Sequence, residues 1–155
     1  MTEGYNRSRA KARPAVALRE NESMSDRFTT IDSAGIFQQF VTAINSHVVK
    51  TLTSLMTADH VFVDSAGNRM HGATSMEAAW RGYFAMCPDY RIRTDLVMAK
   101  DGAVLAVGEA GGTIDGVAWR TPAAWKAAIR DGRVAEWRVF ADNKPVYEIL
   151  ARRQR

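Results

Sequence analysis

The stretch YRIRTDLVMAKDGAVLAVGEAGGTIDGVAWRTPAAWKAAIRDGRVAEWRVFA, residues 90–141, decides the fold. Asp-Gly occurs three times in it, at 101–102, 115–116 and 131–132, each time between apolar or alternating runs. A two-residue hairpin turn of this kind needs positive φ at both central positions, which glycine adopts freely and aspartate more readily than most residues. The spacing therefore predicts four antiparallel strands in a meander, over 90–98, 103–113, 117–130 and 133–141. In the first of them Tyr90, Ile92, Thr94, Leu96 and Met98 alternate with Arg91, Arg93 and Asp95, the pattern of a strand with one face buried.

Upstream the period changes from two to that of a helix. Asp32-Ser33 is placed to cap a helix whose apolar positions are Ile36, Phe37, Phe40, Val41 and Ile44. Asn45-Ser46 interrupts it, and Val48, Leu52, Leu55 and Met56 mark a second, short helix, so a bent pair is expected. From His60 to Asp64 the chain alternates as a short strand, with Val61 and Val63 on one face and His60, Phe62 and Asp64 on the other. Ser65 to Asn68 reads as a turn. Thr74-Ser75-Met76-Glu77 has capping-box spacing and opens a third helix carrying Met76, Ala79, Trp80, Tyr83 and Phe84, ended by Cys87-Pro88. A short final helix is expected after Pro145. Helices followed by an antiparallel meander make an α+β protein.

Composition bounds the function. The 155 residues are 46% hydrophobic and 25% charged, the balance of one globular domain able to build its own core. Cys87 is the only cysteine, and the three histidines have no paired spacing, so neither a disulfide framework nor a metal or cofactor site is predicted. No apolar run is long enough to span a bilayer. The net charge of +4 and pI near 9.5 point first towards nucleic acid. Their location says otherwise. Residues 1–23 hold five basic and three acidic side chains, and Arg152, Arg153 and Arg155 lie at the end, which leaves 13 basic and 14 acidic residues in 24–151, a net of −1. The aromatic-basic run Tyr90-Arg91-Ile92-Arg93 is broken by Asp95. The expected organisation is a disordered basic extension over 1–26, with 1–23 dispensable before a second start at Met24, one domain over 27–151, and a basic tail over 152–155. Neither nucleic acid nor a membrane is an expected partner, and the default location is cytoplasmic.

Two segments and one later motif carry a resemblance. They are Phe40-Val41-Thr42-Ala43-Ile44-Asn45, then Leu55-Met56-Thr57-Ala58-Asp59-His60-Val61-Phe62-Val63-Asp64, and finally Asp131-Gly132-Arg133-Val134-Ala135-Glu136-Trp137, with Gly67 and Gly72 between. Over roughly 33–150 the chain resembles the nuclear transport factor 2-like superfamily, in its SnoaL-like and ketosteroid-isomerase-like branch. The resemblance implies three helices on a strongly curved antiparallel sheet, a cone with an apolar interior, and a homodimer formed through the open sheet face by the last three strands. It also puts Asp64 where steroid isomerases hold their base. Phe40 stands in the place of the tyrosine that polarises the substrate carbonyl, and Trp125 (or Ala123, in another register) in the place of the protonated acid. With both donors replaced, an enolate would lack its electrostatic stabilisation, so steroid isomerisation by that route is not expected.

Asp64 shares a face with Phe62; inside an apolar cone its pKa would rise and poise it as general acid or base, whereas at a strand end it would cap Gly67 or Asn68. His60 is either its partner or a histidine satisfied by backbone. Glu109 is either an inward carboxylate pairing with Asp64 or Arg120, or an outward charge on a solvated face. Phe40, Phe62, Trp80, Tyr83, Trp119 and Trp125 would line a pocket for a small hydrophobic molecule or simply fill the core, and Tyr83 alone of these carries a hydroxyl that can replace a missing donor. Two readings stay open: an isomerase-, cyclase- or hydrolase-type enzyme using Asp64, and a noncatalytic ligand-binding or assembly module of the same fold.

Overall fold

A computed structural model describes residues 32–154. The readings of 1–26 as a disordered extension and of Arg155 as the tail's last residue lie outside the described residues. The chain forms helix α1 over 32–46, α2 (Val49–Ser54), strand β1 (Met56–Val63), β2 (Arg69–His71), α3 (Ala73–Met86), β3 (Arg91–Lys100), β4 (Ala103–Ile114), β5 (Val117–Arg130), β6 (Arg133–Ala141) and α4 (Lys144–Ala151), then a 3-10 turn at Arg152–Gln154. Arg153 pairs with Asp115 in the β4–β5 turn.

The meander forms as its punctuation demands. Asp101, Asp115 and Asp131 have φ of 51°, 51° and 53°, and the glycines that follow them are also positive, so all three hairpins use the mirror-image turn that matches strand twist. The strands stand in the order β2-β1-β6-β5-β4-β3. The sheet is not wholly antiparallel: β1 joins it parallel to β6, with Phe62 opposite Trp137. That pairing could not be read locally, because it closes a crossover spanning α3 and four strands. β1 also starts earlier than predicted, at Met56, since its first residues continue straight out of α2 and Leu55 accepts from Val134 N–H. β2 follows the turn as a strand with no signal of its own in the sequence, held by Val61, Phe62 and Val63 facing His71, Met70 and Arg69.

The helices differ from their predicted signals in two details. α1 ends just before His47, whose φ of 58° turns the chain. Asn45 then grips the start of β3 from both sides, its Nδ2 donating to Ile92 O at 2.9 Å and its Oδ1 accepting from Ile92 N–H at 2.8 Å. The capping box at 74–77 does not form. Gly72 precedes the first turn of α3 with φ of 92°, no side chain caps it, and Glu77 pairs with Arg81 and Lys50 instead.

Inward-facing residues of the sheet (Ile92, Val104, Ala106, Ala110, Trp119, Ala123, Trp125, Ala127 and Trp137) form one core with α1–α3. At its centre Trp137 stacks on Phe37 at 5.3 Å and touches Phe40 at 4.8 Å and Trp125 at 6.5 Å. The opposite face leaves Leu96, Met98, Leu105, Val107 and Phe140 exposed. Register shifts at Asp95 and between Ala128 and Ile129 mark bulges, which bend a strand and increase its twist. The bulge at Asp95 brings β3 onto Gly108, where an added Cβ would lie 1.9 Å from the Arg93 carbonyl. Gly82, exposed in α3, has open space around it. Gly108→Ala should therefore lower stability by about 2 kcal/mol or more through strain in the β3–β4 pairing, whereas Gly82→Ala should raise it by about 1 kcal/mol. Urea denaturation of the two variants checks the contrast, and equal behaviour would contradict it.

Candidate functional site

A cavity of about 260 Å³ lies between α3 and the helix-covered face of the sheet. Strand parity builds its floor: Phe62, Trp137, Val139, Ala141, Thr121, Trp119 and Ala110 all project to that face. One stripe of α3, Met76, Ala79, Trp80 and Tyr83, forms the roof, because positions three and four apart share a helix face. Tyr90, from the loop entering β3, and Met70 of β2 complete the apolar wall, and Asp64, Ser65 and Asn143 lie at one end.

The rings of that wall interlock. Tyr83 meets Tyr90 edge-on at 4.9 Å and Trp80 edge-on at 6.1 Å, and Tyr90 stacks on Trp119 at 6.2 Å. Burial pushes both tyrosine hydroxyls up, so they stay protonated donors at any physiological pH. Thr121 is occupied, donating to Asp142 O at 2.9 Å, and Asn143 Nδ2 donates to Ser65 Oγ at 2.7 Å, bridging the loop after β1 to the start of α4.

Asp64 stands in the cavity wall but does not have the character expected of a buried base. Burial pushes its carboxyl up, yet hydrogen bonds from Asn68, Ala66 and Gly67 outweigh that and hold it below the usual carboxylate range. Its Oδ1 accepts from Ala66 N–H at 2.9 Å and Asn68 N–H at 2.8 Å, while Oδ2 accepts from Asn68 Nδ2 at 2.9 Å. The strand end curls into a turn just where the carboxylate can organise it, so Asp64 is ionised and fixed.

The other expected site residues divide cleanly. Phe62, Trp80, Tyr83 and Trp119 line the cavity. Phe40 and Trp125 do not, because with Phe37 and Trp137 they fill the core beyond its floor. Glu109 is not inside either. It faces outward opposite Pro122 and pairs with Arg120 at 3.2 Å, the neighbouring Ala110 being the inward residue. His60 does point inward but is sealed in the core, fully buried near Phe40, and its Nδ1 pairs with Val134 O at 2.7 Å. It is not among the residues that line the cavity, and no hydrogen bond joins it to Asp64 among the described residues. Tyr90, Thr121, Ser65 and Asn143 were not singled out as site residues from the sequence. Parity with Ile92 marks Tyr90 as inward, but no local signal shows that α4 begins against the loop after β1.

The sealed histidine has a thermodynamic consequence. Burial lowers the His60 pKa below 6.5, more than its bond to Val134 and the charges of Asp59 and Glu136 raise it. The unfolded chain then takes up the proton first, so stability is full above about 6.5 and falls as the pH drops below it. The contribution of one such group cannot exceed about 1.4 kcal/mol per pH unit. Thermal melts between pH 7.5 and 5 should show this loss, and His60→Asn, whose amide nitrogen takes the place of Nδ1 as a donor to Val134 O, should flatten it. The same slope in both proteins would assign the loss to another group.

Residues 37–137 match the model of the SnoaL-like domain family. No curated protein matches the chain by sequence. Among solved structures, the chain is similar to a protein from Shewanella denitrificans OS-217 assigned as a SnoaL-like polyketide cyclase, with 15% identity, TM-score 0.69 and coverage of 77% of this chain and 96% of that one. It is similar to an M. tuberculosis LEH-like epoxide hydrolase, with 18% identity, TM-score 0.69 and coverage of 79% and 92%. It is also similar to a Catenulispora acidiphila protein of ketosteroid isomerase-like fold, in complex with trimethylamine, with 20% identity, TM-score 0.63 and coverage of 67% and 82%. At these identities the structural likeness establishes the fold alone. The family model spans most of the domain, from α1 through Trp137 of β6, and the chain belongs to the SnoaL-like family of the nuclear transport factor 2-like fold.

Proposed function

We propose that the protein binds a small, largely apolar organic molecule in the cavity beneath α3. The observation that carries this reading is the wall itself: a space of about 260 Å³ remains among Phe62, Trp80, Tyr83, Tyr90, Trp119 and Trp137, whereas the neighbouring aromatic cluster is filled. Large rings that leave a gap forgo the contacts that would otherwise stabilise the core, and such a gap is what a ligand site requires. The polyketide cyclase and epoxide hydrolase among the structural neighbours carry names of enzymes of small organic substrates, which supports the same class of ligand here.

A second reading, proton transfer with Asp64 as base, is favoured by one observation. Tyr83 and Tyr90 have no hydrogen-bond partner for their hydroxyls among the described residues and stand in the same cavity as the carboxylate, so donors exist although Phe40 and Trp125 supply none. Against it, hydrogen bonds that hold the carboxyl below the usual carboxylate range make it a weaker base for a carbon acid than the raised carboxylate such chemistry favours. Binding without turnover is therefore the reading adopted. Three of the four tryptophans line the cavity and report on it. Titration with neutral apolar probes such as cyclohexanone should change the emission saturably, and Ala79→Phe, which fills the roof, should weaken binding at least tenfold without lowering the melting temperature. Unchanged emission with every probe would refute the reading.

We also propose that two copies pair through the outer sheet face. Leu96 and Met98 are 53% and 58% exposed, and with Leu105, Val107 and Phe140 they make an apolar patch across β3, β4 and β6, a larger share of β3 than the last three strands alone would give. Patches of this kind on a sheet face are covered by partners. Sedimentation at micromolar concentration should give a dimer, and Leu105→Glu with Val107→Lys a monomer. A monomeric wild type would overturn the proposal.

A further inference from the structure

The charge inventory of the cavity narrows the ligand. No lysine, arginine or histidine is among its lining residues, and its one ionisable group of physiological consequence is Asp64. The nearby basic side chains face away from it: Arg120 pairs with Glu109 and Lys126 with Glu136 on the outer face, Arg138 lies over the Phe140 ring there, and Arg69 and His71 flank Met70 on the opposite face of β2. An anionic ligand would thus meet a like charge and no counter-ion. Six aromatic rings complete the wall, with Trp80 and Tyr90 each perpendicular, within a degree, to Tyr83, so the three make a corner of π-systems. Aromatic faces attract a cation through their quadrupole, and Asp64, just past the end of β1 and two residues beyond Phe62, adds a full negative charge to the cavity wall.

From this juxtaposition of aromatic corner and single carboxylate we infer that the ligand is an alkylated amine cation, a compact tertiary or quaternary ammonium. The inference rests on the ligand-binding reading above and specifies its chemistry. A primary ammonium fits less well, because its three donors need three acceptors. Here the Asp64 oxygens already accept three hydrogen bonds, and Ser65 Oγ is engaged by Asn143. An alkylated ammonium asks for few hydrogen bonds and presents methyl or methylene groups to the rings. Its charge is offset by the carboxylate, which lowers the cost of leaving water. Asp64 is ionised over the whole neutral range, held so by the turn it organises, and needs no rearrangement to serve as counter-ion.

The test compares choline with neohexyl alcohol, in which a carbon replaces the ammonium nitrogen, by tryptophan emission and calorimetry on the full chain. Choline should bind at least tenfold more tightly than the alcohol. Asp64→Asn retains an oxygen for the Ala66 and Asn68 amides, and it should weaken choline at least fivefold while changing the alcohol less than twofold. Trp119→Leu should likewise cost choline more than the alcohol, which keeps the test valid if the Asp64 variant unfolds. Equal or tighter binding of the alcohol would overturn the cationic inference and leave the apolar pocket standing. Binding of neither would overturn both.

Discussion

The packing around Trp137 is the interaction on which the rest depends. Its ring meets α1 through Phe37 and Phe40, meets β5 through Trp125, and sits opposite Phe62 across the parallel β1–β6 pair. One indole therefore joins the helical layer to the meander and fixes where β1 enters the sheet. Burying side chains of this size contributes several kilocalories per mole each, of the order of the whole net stability of a domain. The same ring is also part of the cavity floor. On one side its surroundings are filled, and on the other, under α3, they are left open.

That division accounts for the chemistry of the site. The filled side takes Phe40 and Trp125, the two positions where the family resemblance would put carbonyl-polarising donors, and converts them to core. The open side keeps the tyrosines and the strand-end aspartate. Asp64 is held by its turn in the charged state, so its environment suits a fixed counter-ion better than a group that must take and release a proton near neutrality. Position in the family's base site and suitability as a base are separate properties, and here local hydrogen bonding pulls them apart.

The outer face of the same sheet follows another logic. Its first rows, Arg91, Arg93 with Glu109, and Arg120, are charged, and beyond the bulge at Asp95 they give way to Leu96, Met98, Leu105 and Val107. The bulge shifts the parity of β3 by one residue, and without it Leu96 and Met98 would have faced the core. A single inserted residue thus adds Leu96 and Met98 to the exposed apolar patch, while the Gly108 backbone makes room for the strand that carries them.

Much of this was legible in the sequence, for reasons that are local. Asp-Gly pairs determine hairpins because the backbone conformation they adopt belongs to those residues themselves. The α1 stripe, the helical face of 76–84 and the parity of Phe62 with Asp64 follow from the periods of helix and strand. Tertiary structure alone decided the parallel partnership of β1 and β6, the bulge that turns Leu96 outward, and the choice of which aromatics fill the core and which leave a cavity. It also decided the charge state of Asp64 and the sealing of His60. Each of these depends on which groups from distant parts of the chain arrive beside one another, since the energy of burying a ring or a charge is set by its neighbours in space, and a one-dimensional pattern records only its neighbours in sequence.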